Sequence, residues 1–187
     1  QSTYLEIVLD ETRRLTKMTN DIMDLTKMES GQIELNKDKF EINSLIRRVL
    51  NQFEQRILEK NVKLQLILAQ ENTMVFADKE QIQRVFYNLI DNAVKFVKDE
   101  GNIIVETTLS GKKLFVSIKN DGEKIPEEDI QYIWDRFHKI DKSRGKDKTG
   151  MGLGLSIVRQ IIKHHGETIK VENTENGVIF TFSISIY

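Results

Sequence analysis

One short stretch carries most of the information about the fold: Asn88-Leu89-Ile90-Asp91-Asn92-Ala93-Val94-Lys95-Phe96. In a helix, Asn88, Asn92 and Lys95 share one face, because residues three and four apart are neighbours. Two carboxamide oxygens and an ammonium on one face suit a magnesium–phosphate site, since Mg²⁺ prefers oxygen ligands and takes few from the protein. A solvated polar face is the simpler interpretation of these three residues alone. The apolar face of the same helix should bury against a sheet through Val85, Leu89, Ala93 and Phe96.

A glycine-rich segment further along the chain provides a second signal: Gly150-Met151-Gly152-Leu153-Gly154-Leu155. Glycine lets a backbone approach a phosphate, and a helix start offers unpaired N–H groups and the positive end of the helix dipole. The dinucleotide fingerprint G-x-G-x-x-G does not fit, because Leu155 stands where the third glycine belongs. The P-loop does not fit either, because Met151 replaces its lysine. The segment alone is compatible with a phosphate-binding loop or with a flexible hinge.

The periodicity of the remaining sequence predicts alternating helices and strands. Helices are predicted over residues 4–28, 40–61 (with Asn43 or Ser44 as N-cap), 79–97 (with Asp78 as N-cap), 126–137 and 152–165. Strands are predicted over 62–66, 74–77, 101–109, 114–119, 168–172 and 178–186, and a mobile loop over 138–149. Gly31 should end the first helix and Gly166 the last. The pattern predicts an α+β fold, a two-layer α/β sandwich in which helices cover a mixed, largely antiparallel sheet, preceded by one long helix.

Composition narrows the functional classes. The chain has 187 residues, a net charge of −1 and no cysteine. Thiolate metal sites and disulfides are therefore excluded, and no whole-molecule charge favours nucleic acid or an anionic membrane. No apolar run is long enough to cross a bilayer. Because the first residue is Gln1 and a helical pattern begins at once, we expect a fragment of a longer protein.

Four motifs together resemble those of the catalytic, ATP-binding domain of bacterial sensor histidine kinases, in the GHKL ATPase superfamily. Residues 88–96 resemble the N box, N-L-x-x-N-A-x-K-F/Y, and Asp121-Gly122-Glu123-Lys124-Ile125-Pro126 lies where the first glycine box is found. Trp134-Asp135-Arg136-Phe137 is similar to the F box, and residues 150–158 are similar to the second glycine box. The resemblance implies the Bergerat fold. It covers residues 40–187, and it suggests a catalytic domain over 32–187 after the second helix of a dimerisation and phosphotransfer hairpin over 1–31.

The resemblance implies a role for each matching residue. Asn92 would bind Mg²⁺, Asn88 would contact phosphate or the metal shell, and Lys95 and Lys139 would reach phosphate. Phe96, Ile125 and Gly122 would lie around the adenine. The second glycine box, with Gly150, Met151, Gly152, Leu153, Gly154 and Leu155, would close on the triphosphate, with residues 138–149 as the ATP lid.

Three positions depart from the family pattern. Asn120 stands where the family has an adenine-reading Asp, and Asp121 should point to the other side of the strand. A carboxamide keeps an accepting oxygen but loses charge assistance, so we expect weaker but retained ATP binding. Lys124 replaces a glycine, and Ile179 stands where the superfamily often has Thr.

The implied reaction is transfer of the ATP γ-phosphate to a histidine of the hairpin, for relay to the receiver domain of a response regulator. Asn88 stands where hydrolysing relatives have a Glu, and a carboxamide cannot act as a general base. The chain has three histidines, none followed by an acid and none in the leading helix. We therefore expect the chain to bind ATP and Mg²⁺ without phosphorylating itself. A nucleotide-binding interaction module without catalysis is the alternative.

The same resemblance sets expectations about the parent protein. It would be a membrane-anchored homodimer with this part in the cytoplasm. The fragment itself would be a monomer or a weak dimer.

Overall fold

The computed structural model describes residues 2–140 and 151–187, apart from the side chains of Ser2 and Thr3. The chain divides into two compact units, Gln1–Glu34 and Leu35–Tyr187. Among the described helices, none is both long enough and apolar enough to cross a membrane.

The first unit is built on one helix, α1 (Ser2–Glu29). Two residues after its end stands Gly31, whose φ of +69° is the left-handed conformation that favours glycine and stops the helix. The Gln32 N–H donates to the Lys27 carbonyl over 2.9 Å, and the Gly31 N–H donates to the Met28 carbonyl over 3.2 Å. These two bonds satisfy carbonyls that the helix end leaves free. The predicted leading helix and its glycine stop are confirmed.

The second unit contains the other helices and all the strands. Its elements in chain order are β1 (Lys37–Glu41), α2 (Ile42–Asn51), α3 (Glu54–Glu59), β2 (Lys63–Ile67), β3 (Met74–Asp78), α4 (Lys79–Phe96), β4 (Asn102–Ser110), β5 (Lys113–Asp121), α5 (Gly154–His164), β6 (Ile169–Asn173) and β7 (Gly177–Ser185).

The main sheet has the strand order β2-β4-β5-β7-β6. Only the β2–β4 pair is parallel; the other three pairs are antiparallel. β1 and β3 form a separate antiparallel pair. Every second residue of β5 is buried, and these residues pair with buried residues of β4 and β7 on the same face of the sheet. The helices cover this face, with α4 packed on β5 and the Phe86 ring meeting Phe182 at 5.4 Å. The predicted fold class, helices over one face of a mixed, largely antiparallel sheet, is confirmed.

The helix predicted over residues 40–61 is confirmed in most of its length, as α2 and α3, but its start, its N-cap and its continuity are wrong. Phe40 lies in β1, opposite Val75 of β3, and two shorter helices follow. The N-cap of α2 is Glu41, whose carboxylate accepts from the N–H groups of Asn43 over 2.9 Å and Ser44 over 2.6 Å. Asn43 and Ser44 therefore have their N–H groups capped, and neither of them is the N-cap that the sequence predicted. Strand pairing with β3, a contact distant in sequence, decided this boundary.

Two other predicted helices also change. Residues 126–137 form turns and a bend but no helix: the Tyr132 N–H bond to the Asp129 carbonyl, 2.8 Å, spans three residues, and the four-residue bond from the Ile133 N–H to the same carbonyl, 3.0 Å, does not repeat along the segment. α5 begins at Gly154 and not at residue 152, because Gly152 has a φ of +69° that no right-handed helix contains. Of the predicted loop over 138–149, residues 141–149 lie outside the described residues.

Asp78 and His165 join three elements at one point. The Asp78 carboxylate caps α4 as predicted, accepting from the N–H groups of Glu80 and Gln81, each over 3.1 Å. The backbone N–H of Asp78 donates to Nε2 of His165 over 3.1 Å. In turn, Nδ1 of His165 donates to the Ile161 carbonyl over 2.9 Å. Burial lowers the pKa of His165, although its bond to Ile161 acts in the opposite direction. The neutral imidazole therefore fastens the end of α5 to the β3–α4 junction.

This junction makes stability pH-dependent. Because the folded state lowers the pKa of His165, the unfolded chain binds more protons near and below the ordinary histidine value of about 6.5. The stabilisation is complete above that pH and is lost as the pH falls toward the folded pKa. We expect urea denaturation to give a lower free energy of unfolding at pH 5.5 than at pH 7.5. His165→Gln should reduce the difference in the free energy of unfolding between these two pH values, whereas His164→Gln, the control, should leave that difference unchanged. If His165→Gln showed the same difference as the wild type, the pH dependence would belong to another group.

Candidate functional site

Helix α4 presents the predicted polar face. Asn88, Asn92 and Lys95 are half-buried, whereas the apolar face buries Val85, Leu89 and Ala93. Phe96 contradicts the prediction for that face, because 44% of its surface is exposed. It is the last residue of α4.

The asparagine helix and the glycine segment meet in space. A β-carbon built on Gly154 would lie 3.1 Å from Oδ1 of Asn88. Nδ2 of Asn88 donates to the Arg84 carbonyl over 2.9 Å, which turns Oδ1 toward the start of α5. Leu153 is the N-cap of α5 and provides no side-chain hydrogen bond to the first turn. The structure therefore brings an amide oxygen against a helix start whose N–H groups suit an anion.

Lys95 lies in a cluster of charges on the same helix. Its Nζ is 2.7 Å from Oδ2 of Asp91, and Nη1 of Arg56 is 2.7 Å from Oδ1 of the same carboxylate. Burial alone would raise the pKa of Asp91, but the hydrogen bonds and charges of Lys95 and Arg56 outweigh it and hold that pKa below its usual value. Lys95 is therefore already paired with the Asp91 carboxylate, and an anion bound at this face would share the Lys95 ammonium with it. The ion pair of Arg56 with Asp91 also connects α3 to α4. The sequence reasoning missed Asp91 and Arg56, although Asp91 stands four residues before Lys95, a spacing that favours an ion pair.

The end of β5 places Asn120 and Asp121 on opposite sides of the strand. Asn120 is 5% exposed and pairs in register with Ile103 and Val178, which are buried on the helix-covered face. The Asp121 carboxylate instead accepts from Asn102, over 3.1 Å from the backbone N–H and 2.6 Å from Nδ2. The predicted opposite orientation is confirmed, and Asp121 is engaged by its neighbour strand.

Two glycines allow backbones to touch at this end of the sheet. A β-carbon on Gly122 would clash with the Phe96 carbonyl oxygen, and one on Gly177 would clash with the Asn120 carbonyl oxygen. Gly122 thereby joins the end of α4 to the end of β5, where it also bridges to Val97. Gly177 lies between the strands predicted over 168–172 and 178–186, and no local sequence signal indicates its contact with β5. Lys124 is exposed and has no positive φ, so its β-carbon fits the turn.

The F-box region meets the glycine segment at Gly152. The Phe137 N–H donates to the Gly152 carbonyl over 2.9 Å, and a β-carbon on Gly152 would lie 2.8 Å from Cα of Phe137. Lys139 and Met151 are half-buried, and Ile125 is 8% exposed. Gly150 lies outside the described residues.

Carboxylates do not assemble a metal site in the described part of the chain. No group of three or more His, Cys, Asp or Glu side chains there could hold an ion. The residues that suit Mg²⁺ are instead the neutral oxygens of Asn88 and Asn92, which would bind it only with help from phosphate and water. These two neutral oxygens suit a metal ion that binds together with a phosphorylated ligand.

Comparison with known proteins gives a consistent picture. Residues 77–187 match the family described as "Histidine kinase-, DNA gyrase B-, and HSP90-like ATPase". The signal transduction histidine-protein kinase ArlS of Staphylococcus aureus is 33% identical over 172 residues, which cover 92% of this chain and 38% of ArlS. The sensor histidine kinase WalK of Bacillus subtilis is 28% identical over 184 residues, covering 97% of this chain and 30% of WalK. The chain thus spans about a third of the length of these relatives.

Solved structures agree with the sequence relatives. The nucleotide-free catalytic domain of histidine kinase ThkA superposes with a TM-score of 0.73 at 36% identity, covering 82% of this chain and 96% of that domain. ThkA in complex with the response regulator protein TrrA superposes with a TM-score of 0.79 at 33% identity, covering 98% of this chain and 51% of that one.

The charge cluster on α4 can be tested by substitution. Asp91→Asn removes the negative charge that holds Lys95 and Arg56, and we expect it to lower the free energy of unfolding by about 1 kcal/mol at pH 7, because all three groups are partly exposed. The folded state lowers the pKa of Asp91, so its contribution is present above the ordinary Asp value of about 4 and is lost as the pH falls through the folded pKa. Urea denaturation should therefore show the wild-type and variant curves converging below about pH 4. Asp99→Asn, at an exposed turn, is the matched control; an equal loss in both variants would argue against the cluster.

Proposed function

Because the chain belongs to the family of histidine kinase-, DNA gyrase B- and HSP90-like ATPases, we propose that its second unit binds ATP with Mg²⁺ as the catalytic part of a sensor histidine kinase. The observation that carries the proposal is the contact between Asn88 and Gly154, since it brings together two motifs that are far apart in the sequence. We propose further that the first unit, Gln1–Glu34, is the second helix of the dimerisation and phosphotransfer hairpin.

Each part of the nucleotide has a proposed place. Asn92 would hold Mg²⁺, with Asn88 beside it, and the ion would neutralise phosphate charge and orient the γ-phosphate. Lys95 would share its three N–H donors between Asp91 and phosphate. The N–H groups at the start of α5 would bind phosphate oxygens, a role that the close approach permitted by Gly154 supports. Lys139, Gly150, Met151, Gly152, Leu153 and Leu155 would complete the phosphate side of the site.

The base would lie at the end of β5. Asn120 is buried on the helix-covered face of the sheet, so its carboxamide can accept from the adenine amino group without competition from bulk water. Ile125, Gly122 and Phe96 would line this pocket. The exposed ring of Phe96 is free to pack on a base, which gives a function to an aromatic side chain outside the core.

The acceptor of the phosphoryl group would be a histidine and not water. A carboxamide at position 88 cannot remove a proton from water, so the site favours a substrate that is itself a nucleophile. His165 does not suit that role, because both its ring nitrogens are hydrogen-bonded inside the fold. We propose a histidine on the partner helix of the hairpin as acceptor, with a response regulator receiver domain next in the relay. The complex of ThkA with TrrA supports this partner class.

The arrangement of the parent protein follows from the same proposal. The whole protein would be a homodimer anchored to a membrane, with this part in the cytoplasm, and this chain alone would be a monomer or a weak dimer.

Magnesium-dependent nucleotide binding tests the first part of the proposal. A non-hydrolysable ATP analogue at a hundredfold its dissociation constant should stabilise the chain by about 2.7 kcal/mol, seen as a rise in melting temperature. Omitting Mg²⁺ should remove part of this rise, and Asn92→Ala should abolish that Mg²⁺-dependent part, because Asn92 is the proposed protein ligand of the ion. Asn51→Ala, at the exposed end of α2, is the control. A rise that is identical with and without Mg²⁺ would contradict the proposed metal role.

Phosphoryl transfer separates a kinase from a binding module. We expect γ-labelled ATP to label a purified hairpin bearing the acceptor histidine and not to label this chain, which has no histidine suited to the reaction. Asn92→Ala should lower the transfer rate by at least about tenfold. Stable label on the chain alone would contradict the proposed acceptor. Nucleotide binding without transfer would favour the interaction module, whose basis is the neutral Asn120 in the base pocket.

A further inference from the structure

One side chain holds the segment that leaves β5. Asn173, the last residue of β6, accepts from the Ile125 N–H through Oδ1 over 2.9 Å and donates through Nδ2 to the Ile125 carbonyl over 2.7 Å. A single carboxamide thereby satisfies both backbone polar groups of Ile125, as the partner in an antiparallel strand pair would. We call this pair of bonds the Asn173 clamp.

The same turn holds the segment at a second point. The Gly122 N–H donates to the Asn176 carbonyl over 2.9 Å, and the turn that bears Asn176 is closed by a bond of 2.8 Å from the Thr174 N–H to the Gly177 carbonyl. The segment is thus fastened at Gly122 and again at Ile125, whereas the two residues between them are exposed. The β6–β7 turn therefore acts as a fixed support for the start of this segment.

The clamp is important because regular structure gives the segment little support. From residue 123 to residue 140 the chain forms turns and bends but no helix or strand. Ile125 is nevertheless 8% exposed, so its side chain is held in a buried place. A backbone without ladder partners keeps one position only if other groups bind its N–H and C=O.

The chemistry of the clamp requires a carboxamide. Asn offers one donor and one acceptor in a plane, which match the C=O and N–H of Ile125 at the same time. Asp lacks the donor, Ala makes neither bond, and Ser is shorter and has a single oxygen in place of the two separate groups of the carboxamide.

We propose that Asn173 is a positioning residue for the nucleotide base: by fixing the backbone of Ile125 it fixes one wall of the base pocket without touching the nucleotide. This inference rests on the proposed function, which places Ile125 in that pocket. It assigns the β6–β7 turn to the base half of the site, separate from the phosphate half at α4 and α5.

The affinity of variants for two ligands tests this division. Asn173→Ala should weaken binding of Mg–ATP by about tenfold in calorimetric titration, the effect of losing one to two hydrogen bonds. Asn173→Ser should lose less, because it restores one bond, and Asn51→Ala should bind as the wild type does. Binding of Mg–tripolyphosphate, which has no base, should change by less than about twofold in competition with a fluorescent ATP analogue.

Hydrogen exchange at the Ile125 amide provides an independent measurement. It should be faster in Asn173→Ala than in the wild type, since its acceptor is gone. Equal losses of affinity for ATP and tripolyphosphate would show general damage to the fold and overturn the positioning role, as would an ATP affinity unchanged in Asn173→Ala. A wild-type chain that binds no ATP would overturn the proposed function and this inference together, whereas a failure confined to Asn173→Ala would leave the proposed function intact.

Discussion

Burial of the apolar stripe of α4 is the interaction on which the rest of the second unit depends. Removing a Val, Leu or Phe side chain from water contributes roughly 1.5–3 kcal/mol, and α4 buries several of them against β5 and its neighbours. A helix is rigid, so the rotation that buries Val85 and Leu89 also fixes the direction of Asn88 and Asn92. The polar face is therefore positioned by core packing and not by any ligand. Helix α5 lies beside this polar face, and its first residue, Gly154, is the one that meets Asn88.

Glycine contacts set the distances between the elements around this site. Gly122 lets the end of α4 touch the end of β5, and Gly177 lets the start of β7 touch the backbone of Asn120. At Gly154 the same absence of a β-carbon leaves room for the Asn88 carboxamide. A larger residue at Gly122 or Gly177 would separate two backbones, whereas one at Gly154 would push against the Asn88 side chain. The base half of the proposed site thus depends on backbones in contact, and its phosphate half depends on a backbone that approaches a side chain.

Hydrogen bonds of single side chains fasten the parts that the sheet does not reach. Asp78 and His165 join the start of α4 to the end of α5, and Asn173 holds the segment after β5. Asp91 holds Lys95 and Arg56, which connects α3 to the polar face of α4. Each of these side chains acts over a long distance in sequence. Together they explain how a chain with a long irregular stretch keeps one geometry around its candidate site.

The sequence alone determined the elements whose signals are local. These are the amphipathic period of α4, its Asp78 cap, the strands β4 and β5, and the shared face of Asn88, Asn92 and Lys95. The resemblance of its motifs identified the fold class and the family. Only the tertiary structure decided that Phe40 is in a strand and not a helix, because its partner Val75 is distant in sequence. Only the tertiary structure revealed the Asn173 clamp, the contact at Gly177 and the ion pair of Asp91 with Arg56. The physical reason is the same in each case: periodicity records which face of an element is apolar, whereas a pairing between two elements depends on where the whole chain places them.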